Sequence, residues 1–301
     1  MAITLKPAVN YIKPMKVLSY GPAYSGKTLS SLNVAVGIVQ SIRKCTEAEA
    51  YKHIVMIDTE YGRGALYNKL GPYNYLSIEA PYWTEKLSNI ILELNTMDEI
   101  DVIIIDSLSH FWVKEGGILE QKNEADKKGG NSYTNWADYT AKFNRMLDTI
   151  MSSPKHILVT ARAKSDTVLV TNDKGKSVPV SYGLKPELRD GVDFEFDIVF
   201  NVDKLTHTLV VDKGVPGMDP FYELATNETG KHLYDVFNVG KEARTRTVND
   251  VAESIRNFSR VHNLIQFVQL KLSGRNLNDL ELDKLLELEN EIKEKIKKDQ
   301  R

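Results

Sequence analysis

The sequence predicts an α/β protein: a mostly parallel central sheet flanked by helices, followed by a late β-hairpin and a C-terminal helical appendage. Two observations carry this. Short, continuously apolar runs alternate with stretches whose apolar residues recur at helical spacing. Between the first apolar run and the first helical stretch stands Gly21-Pro22-Ala23-Tyr24-Ser25-Gly26-Lys27-Thr28, which satisfies G-x-x-x-x-G-K-[ST].

That motif reads as a phosphate-binding loop. Its glycines let successive backbone N–H groups curl around a phosphate with no Cβ in the way, and the following helix adds its N-terminal dipole. Lys27 is placed to reach the β- and γ-phosphates of ATP, and the Thr28 hydroxyl to ligate the bridging Mg2+. The cofactor-binding set is Gly21, Pro22, Ala23, Tyr24, Ser25, Gly26, Lys27, Thr28 and Leu29. The context is right for it: Met15 to Tyr20 is an apolar run suited to a buried strand, and Leu29, Leu32, Val36, Val39 and Ile42 follow at helical spacing.

His53 to Asp58 is a second strand candidate, leading into Asp58-Thr59-Glu60-Tyr61-Gly62-Arg63-Gly64. Open parallel sheets bind ligands at the carboxyl ends of their strands, so Glu60 is expected to face the phosphate site and to polarise water as a general base. Asp58 is suited equally to capping the turn. Tyr73 to Glu79 predicts a third strand, and Leu87, Ile90, Ile91 and Leu94 a helix. Asp101 to Asp106 (DVIIID) is continuously apolar before its final acid, as a strand buried on both faces must be. Asp106 is the expected second holder of Mg2+, through water, beside Thr28.

From His110 to Asn135 the sequence suggests a long, mobile insertion, with four Lys against four acids between residues 114 and 130. Trp136, Tyr139, Phe143, Met146, Leu147 and Ile150 then follow helical spacing and are expected in the core. His156 to Thr160 is a further strand, ending in Thr160-Ala161-Arg162, where either Thr160 or Arg162 could sense the γ-phosphate. Thr167 to Val180 predicts a hairpin about Asn172-Asp173-Lys174-Gly175, and Phe196 to Asp203 with His207 to Lys213 a second. Between Arg162 and Arg189 there are six Lys/Arg against three acids. This makes Lys164, Lys174, Lys176, Lys185 and Arg189 candidate DNA contacts.

Composition shifts after about Gly240, dividing the chain into residues 1–240 and 241–301. In the second part Thr247 to Phe258, Asn263 to Leu272 and Asn278 to Lys298 read as helices, with Thr247 and Asn278 as N-caps and Leu285, Leu288, Ile292 and Ile296 as an apolar seam. Over the 301 residues the formal net charge is −2, so nucleic-acid binding has to be local. One cysteine, Cys45, and six histidines give no disulfide framework and no zinc-ligand spacing. With no signal core and no membrane-span run, a cytoplasmic location is expected.

Taken together, the phosphate loop, IDTE, IIIDS, VTARAK and a late hairpin ending VVDK resemble a RecA-like P-loop NTPase core over roughly residues 10–240. More narrowly, they resemble the phage-encoded RecA-like ATPases of the Sak type, grouped with a branch of AAA-annotated NTPases. The resemblance implies that Lys27, Glu60 and Asp106 are catalytic and that ATP lies between protomers of a homo-oligomer. Lys213, at the matching hairpin position, would reach across to the neighbour's phosphate. It also implies work with single-stranded DNA in phage recombination, annealing or replication, beside a single-strand-binding or annealing protein, in the host cytoplasm. Two features depart from bacterial RecA: Thr-Ala-Arg stands where RecA has a glutamine switch, and no polymerisation helix precedes residue 15. A ring-forming helicase or helicase loader, a small-molecule kinase and a nucleotide-gated interaction protein are the competing readings.

Overall fold

The computed structural model describes residues 12–129, 131–171, 177–238, 248–261 and 263–299. Along the chain these form β1 (Lys16–Gly21), α1 (Lys27–Arg43), the short α2 (Glu47–Ala50), β2 (Ile54–Asp58), β3 (Asn74–Ser77), α3 (Thr84–Leu94) and β4 (Val102–Asp106). There follow α4 (Ser109–Val113), α5 (Ile118–Lys127), α6 (Ser132–Ser152), β5 (His156–Thr171), β6 (Ser177–Pro186), β7 (Ile198–Val202), β8 (Leu209–Lys213) and β9 (Phe221–Tyr222). The chain continues with α7 (Asn227–Asn238), α8 (Val248–Val261), α9 (Ile265–Leu272) and α10 (Leu282–Asp299).

The nine strands make one sheet in the order β3-β2-β4-β5-β1-β7-β8-β9, with β6 paired to β5 off that path. Strands β1 to β5 and β7 run parallel, while β8 and β9 are antiparallel additions at the edge. This is the mostly parallel, helix-flanked sheet that the sequence predicts, and it is consistent with a P-loop NTPase core. Alternation along the strands explains the two apolar layers. Ile103 and Ile105 of β4 pack with Leu87 and Ile91 of α3 and Phe143 and Leu147 of α6. Val102 and Ile104 point the other way, toward Val36 and Val39 of α1.

Helix α1 is buried on more than the one face its spacing suggests, because α7 covers its other side. Val34, Ala35 and Ile38 are buried together with Leu32, Val36 and Val39. The two helices meet backbone to backbone: a Cβ on Gly37 would lie 2.0 Å from the Asn227 carbonyl oxygen, and one on Gly230 2.2 Å from that of Val34. Gly37→Ala should therefore force the helices apart and cost about 1–3 kcal/mol, as overpacking does. Chemical denaturation measures this, and an unchanged midpoint would mean that the contact is not so tight.

Several expectations change. Residues 110–135 are not an irregular insertion: α4, α5 and the first turn of α6 occupy them, and His110, Phe111, Trp112 and Ile118 are buried. The apolar spacing of α6 is fully buried from Phe143 onward, with Tyr139 half-buried against the same cluster; Trp136 is exposed in part and meets Trp112 edge-on. Strand β5 does not stop at Arg162 but continues to Thr171, pairing antiparallel with β6. The turn predicted at Asn172 to Gly175, with Lys174 and Lys176, lies outside the described residues, as does the Thr247 cap.

The last three helices gather their own apolar cluster around Val251, Ile255, Leu285, Leu288 and Ile292; the side chain of Ile296 lies outside the described residues. Helix α10 begins at Leu282, not at Asn278, because Asn276 instead caps a short 3-10 turn through Leu277–Asp279. An ion pair from Lys293 to Asp98, at 2.9 Å, ties α10 to the loop after α3. Among the described residues no helix is long and apolar enough to cross a membrane.

Candidate nucleotide site

The phosphate loop leaves the carboxyl end of β1 and turns into α1 through Tyr24 and Gly26, both in the left-handed region, at φ 63° and 88°. Gly26 is needed there for a second reason: a Cβ would come within 3.3 Å of the His207 ring. That histidine, at the tip of the β7–β8 hairpin, donates from Nδ1 to the Ser25 carbonyl at 3.0 Å. Lys27 folds back into the loop, where its ammonium donates to the carbonyls of Gly21 (3.0 Å) and Pro22 (2.7 Å). Burial pulls its pKa down, opposed by the carboxylates of Asp106 and Glu60. Ser25 is buried, Leu29 half-buried, and Ala23 and Tyr24 are exposed.

Asp106 ends β4 beside this loop. Its Oδ2 accepts from the Thr28 hydroxyl at 2.6 Å and its Oδ1 from the Thr160 hydroxyl. Burial pushes its carboxyl pKa up, partly countered by the two hydroxyl donors. A hydroxyl and a carboxylate side by side form an oxygen donor pair of the kind hard cations take, so Thr28 and Asp106 suit Mg2+. Thr160, from the neighbouring strand β5, orients Asp106.

Glu60 lies in the loop after β2, its side chain 13% exposed. Its Oε1 accepts from Arg162 Nη2 at 2.9 Å and Nε at 3.2 Å, and His110 Nε2 stands 3.3 Å away. Arg63 Nη1 is 3.6 Å from the other oxygen. Burial pushes the carboxyl pKa up, but His110 and Arg162 overcome it and bring it down to about 2. The loop is pinned from beneath. Asp58 caps it, accepting from the Glu60 N–H and from the Gly64 N–H at 2.9 Å. Thr59 Oγ1 both donates to the Ser107 carbonyl (3.0 Å) and accepts from the Ser107 N–H (2.8 Å). The arrangement can hold a polyphosphate, a hard cation and a carboxylate in one crevice, with Arg162 reporting to the carboxylate.

Lys213 stands apart from this cluster. It pairs with Val199, which lies level with Leu18 in β1, away from the P-loop end of the sheet. It is not a cation lacking partners: its ammonium donates to the Phe194 (2.7 Å) and Phe196 (2.6 Å) carbonyls. Two of the lysines expected at DNA are likewise ion-paired. Lys185 lies 3.2 Å from Asp166 and 3.3 Å from Asp190, and Lys164 is 3.9 Å from Asp190. Asp190 falls just beyond the window counted in the sequence, so the positive excess there is smaller in space than along the chain. Arg189 is half-buried in the turn after β6.

His110, His207 and Arg63 are site residues that the sequence did not announce. The fold brings His110 and His207 to the site, while Arg63 lies three residues after Glu60 in the same loop.

A family model described as an AAA domain matches residues 13–238, from just before β1 to the end of α7. No curated protein matches the chain. The matched span contains the whole phosphate loop, Glu60, Asp106 and Arg162, and the chain belongs to this AAA-domain family of P-loop NTPases.

Proposed function

We propose that this protein binds and hydrolyses ATP with Mg2+ and couples that cycle to single-stranded DNA, in recombination, annealing or replication of the phage type. The observation that carries the reading is the continuity of β5. Thr160 holds Asp106 and Arg162 holds Glu60, and the same strand runs on into the ribbon with β6. A strand displaced by DNA at the ribbon would move the residues that grip both carboxylates. When bound, Mg2+ neutralises charge on the phosphates; Lys27 orients them, and Glu60 takes the proton of the attacking water once Arg162 releases it. The sequence resemblance to RecA-like ATPases supports the same conclusion.

The reading includes a homo-oligomer whose neighbour covers the nucleotide. Exposure of Tyr24 and Tyr61 at the mouth of the site supports it, as does the loss of catalytic advantage when water is not excluded. For Lys213 to act on a neighbour's phosphate it must first leave the Phe194 and Phe196 carbonyls.

The test is oligonucleotide binding at several salt concentrations, with ATP and without. Binding should tighten with ATP. Lys174→Ala and Lys176→Ala should each flatten the slope of log affinity against log salt by about 0.7, the value for one phosphate contact on a single strand. Absence of binding in either state would instead favour a nucleotide-gated interaction protein.

A further inference from the structure

The histidine behind Glu60 has no part in the mechanism above, yet it is among the most enclosed polar side chains in the site. His110 is 0% exposed, on the short helix that follows β4. Its Nδ1 lies 2.9 Å from the Thr59 carbonyl oxygen. A carbonyl only accepts, so this nitrogen carries hydrogen. Its Nε2 lies 3.3 Å from Glu60 Oε1, a close contact and not an aligned hydrogen bond. An ionised carboxylate also only accepts. The ring thus lies between two acceptors, anchored on the first and close against the second. Tyr82 and Tyr61 flank it, with ring centroids 5.2 and 6.4 Å away.

We propose that His110 is a positioning residue for Glu60: anchored on the Thr59 carbonyl, it fixes Oε1 from the buried side when Arg162 turns to the nucleotide. The proposal rests on Glu60 being the general base. Two side chains, Arg162 and His110, now approach one oxygen, and of the two only His110 is fully enclosed. Arg162 has a side chain 36% exposed and reaches in from β5, so it can swing away while the histidine stays. Without His110 the freed carboxylate would keep, among the described residues, only the long contact to Arg63, itself 60% exposed. A carboxylate that wanders by an ångström loses roughly a hundredfold in rate. The low carboxyl pKa of Glu60, about 2, has the His110 contact among its causes.

Two measurements decide the matter. In the first, His110→Phe keeps the ring's bulk but removes both ring nitrogens, and His110→Gln restores a polar group that can donate. The Phe variant should lose about ten- to a hundredfold in kcat, with KM and nucleotide affinity unchanged. The Gln variant should recover most of the loss, which a purely packing role would not produce. Wild-type kcat in His110→Phe would overturn the proposal. The second measurement does not depend on turnover: a double-mutant cycle of His110→Phe and Glu60→Gln on unfolding in denaturant. The pair should couple by about tenfold in the unfolding constant, within the range for residues in contact; additivity within twofold would overturn the pairing. If the wild type fails to hydrolyse ATP, the ATPase reading falls and the cycle alone judges whether His110 holds Glu60.

Discussion

Lys27→Ala is expected to abolish detectable ATP hydrolysis and to weaken nucleotide binding. In the structure its ammonium rests on the Gly21 and Pro22 carbonyls inside the loop, half-buried and with a lowered pKa. Such a group is poorly solvated, so an arriving polyphosphate exchanges weak carbonyl contacts for charged ones at little desolvation cost. Hydrogen bonds to charged groups contribute about 1.5–3 kcal/mol, so Kd should rise roughly ten- to a hundredfold. Loss of charge stabilisation on the transferred phosphoryl group should remove a further factor of about 10² to 10³ from kcat. Lys27→Arg should not restore activity, because a planar guanidinium does not replace a compact ammonium in so narrow a cradle. Fluorescent-nucleotide titration with a phosphate-release assay measures both quantities. Wild-type turnover in Lys27→Ala would sink the NTPase assignment.

Glu60→Gln is expected to keep nucleotide affinity and lower kcat by about 10² to 10⁴, the usual worth of a positioned general base. The amide retains the shape and one acceptor for Arg162 but cannot take a proton from water. Stability carries a second signature. The Glu60 carboxyl is depressed from its ordinary 4.5 to about 2, so its ionised form stabilises the fold. That contribution is present above the unfolded value and is lost as pH falls from 4.5 toward 2. Glu60→Gln should therefore be less sensitive to acid across that window than the wild type. Equal acid sensitivity in denaturation curves from pH 5 to pH 3 would show that Glu60 is not held by its cations. Unchanged kcat would remove the general-base role while leaving the nucleotide site intact.

On the proposed reading, a carboxylate gripped by Arg162, with His110 beside it, is a weak base, and hydrolysis would need Arg162 to let go. Arg162 is the more exposed and stands on the strand that continues into the β5–β6 ribbon, the route by which the proposed DNA contact would reach Glu60.

By itself the sequence determined the phosphate loop, its strand and helix, Asp106 at the end of an apolar strand, and Glu60 in the loop after another. These are local patterns: glycines where backbone must approach a phosphate, continuous apolar residues where a strand is covered on both faces, and 3.6-residue spacing along a helix. What a side chain meets across the fold is a different kind of fact. Arg162 stands 102 positions from the Glu60 it grips, and His207 182 from Ser25. Helix α7 was not read from the sequence although it buries Leu233 and Phe237 at helical spacing, and its close approach to α1 through Gly37 and Gly230 is a contact between distant segments that only the fold shows. The charge count around Lys164 and Lys185 missed Asp190, which folds back on both, and Lys213 shows no sign along the chain of the Phe194 and Phe196 carbonyls that hold it. Only the tertiary structure decided these partners, because hydrogen bonds and ion pairs depend on distance and burial in space, and separation along the chain records neither.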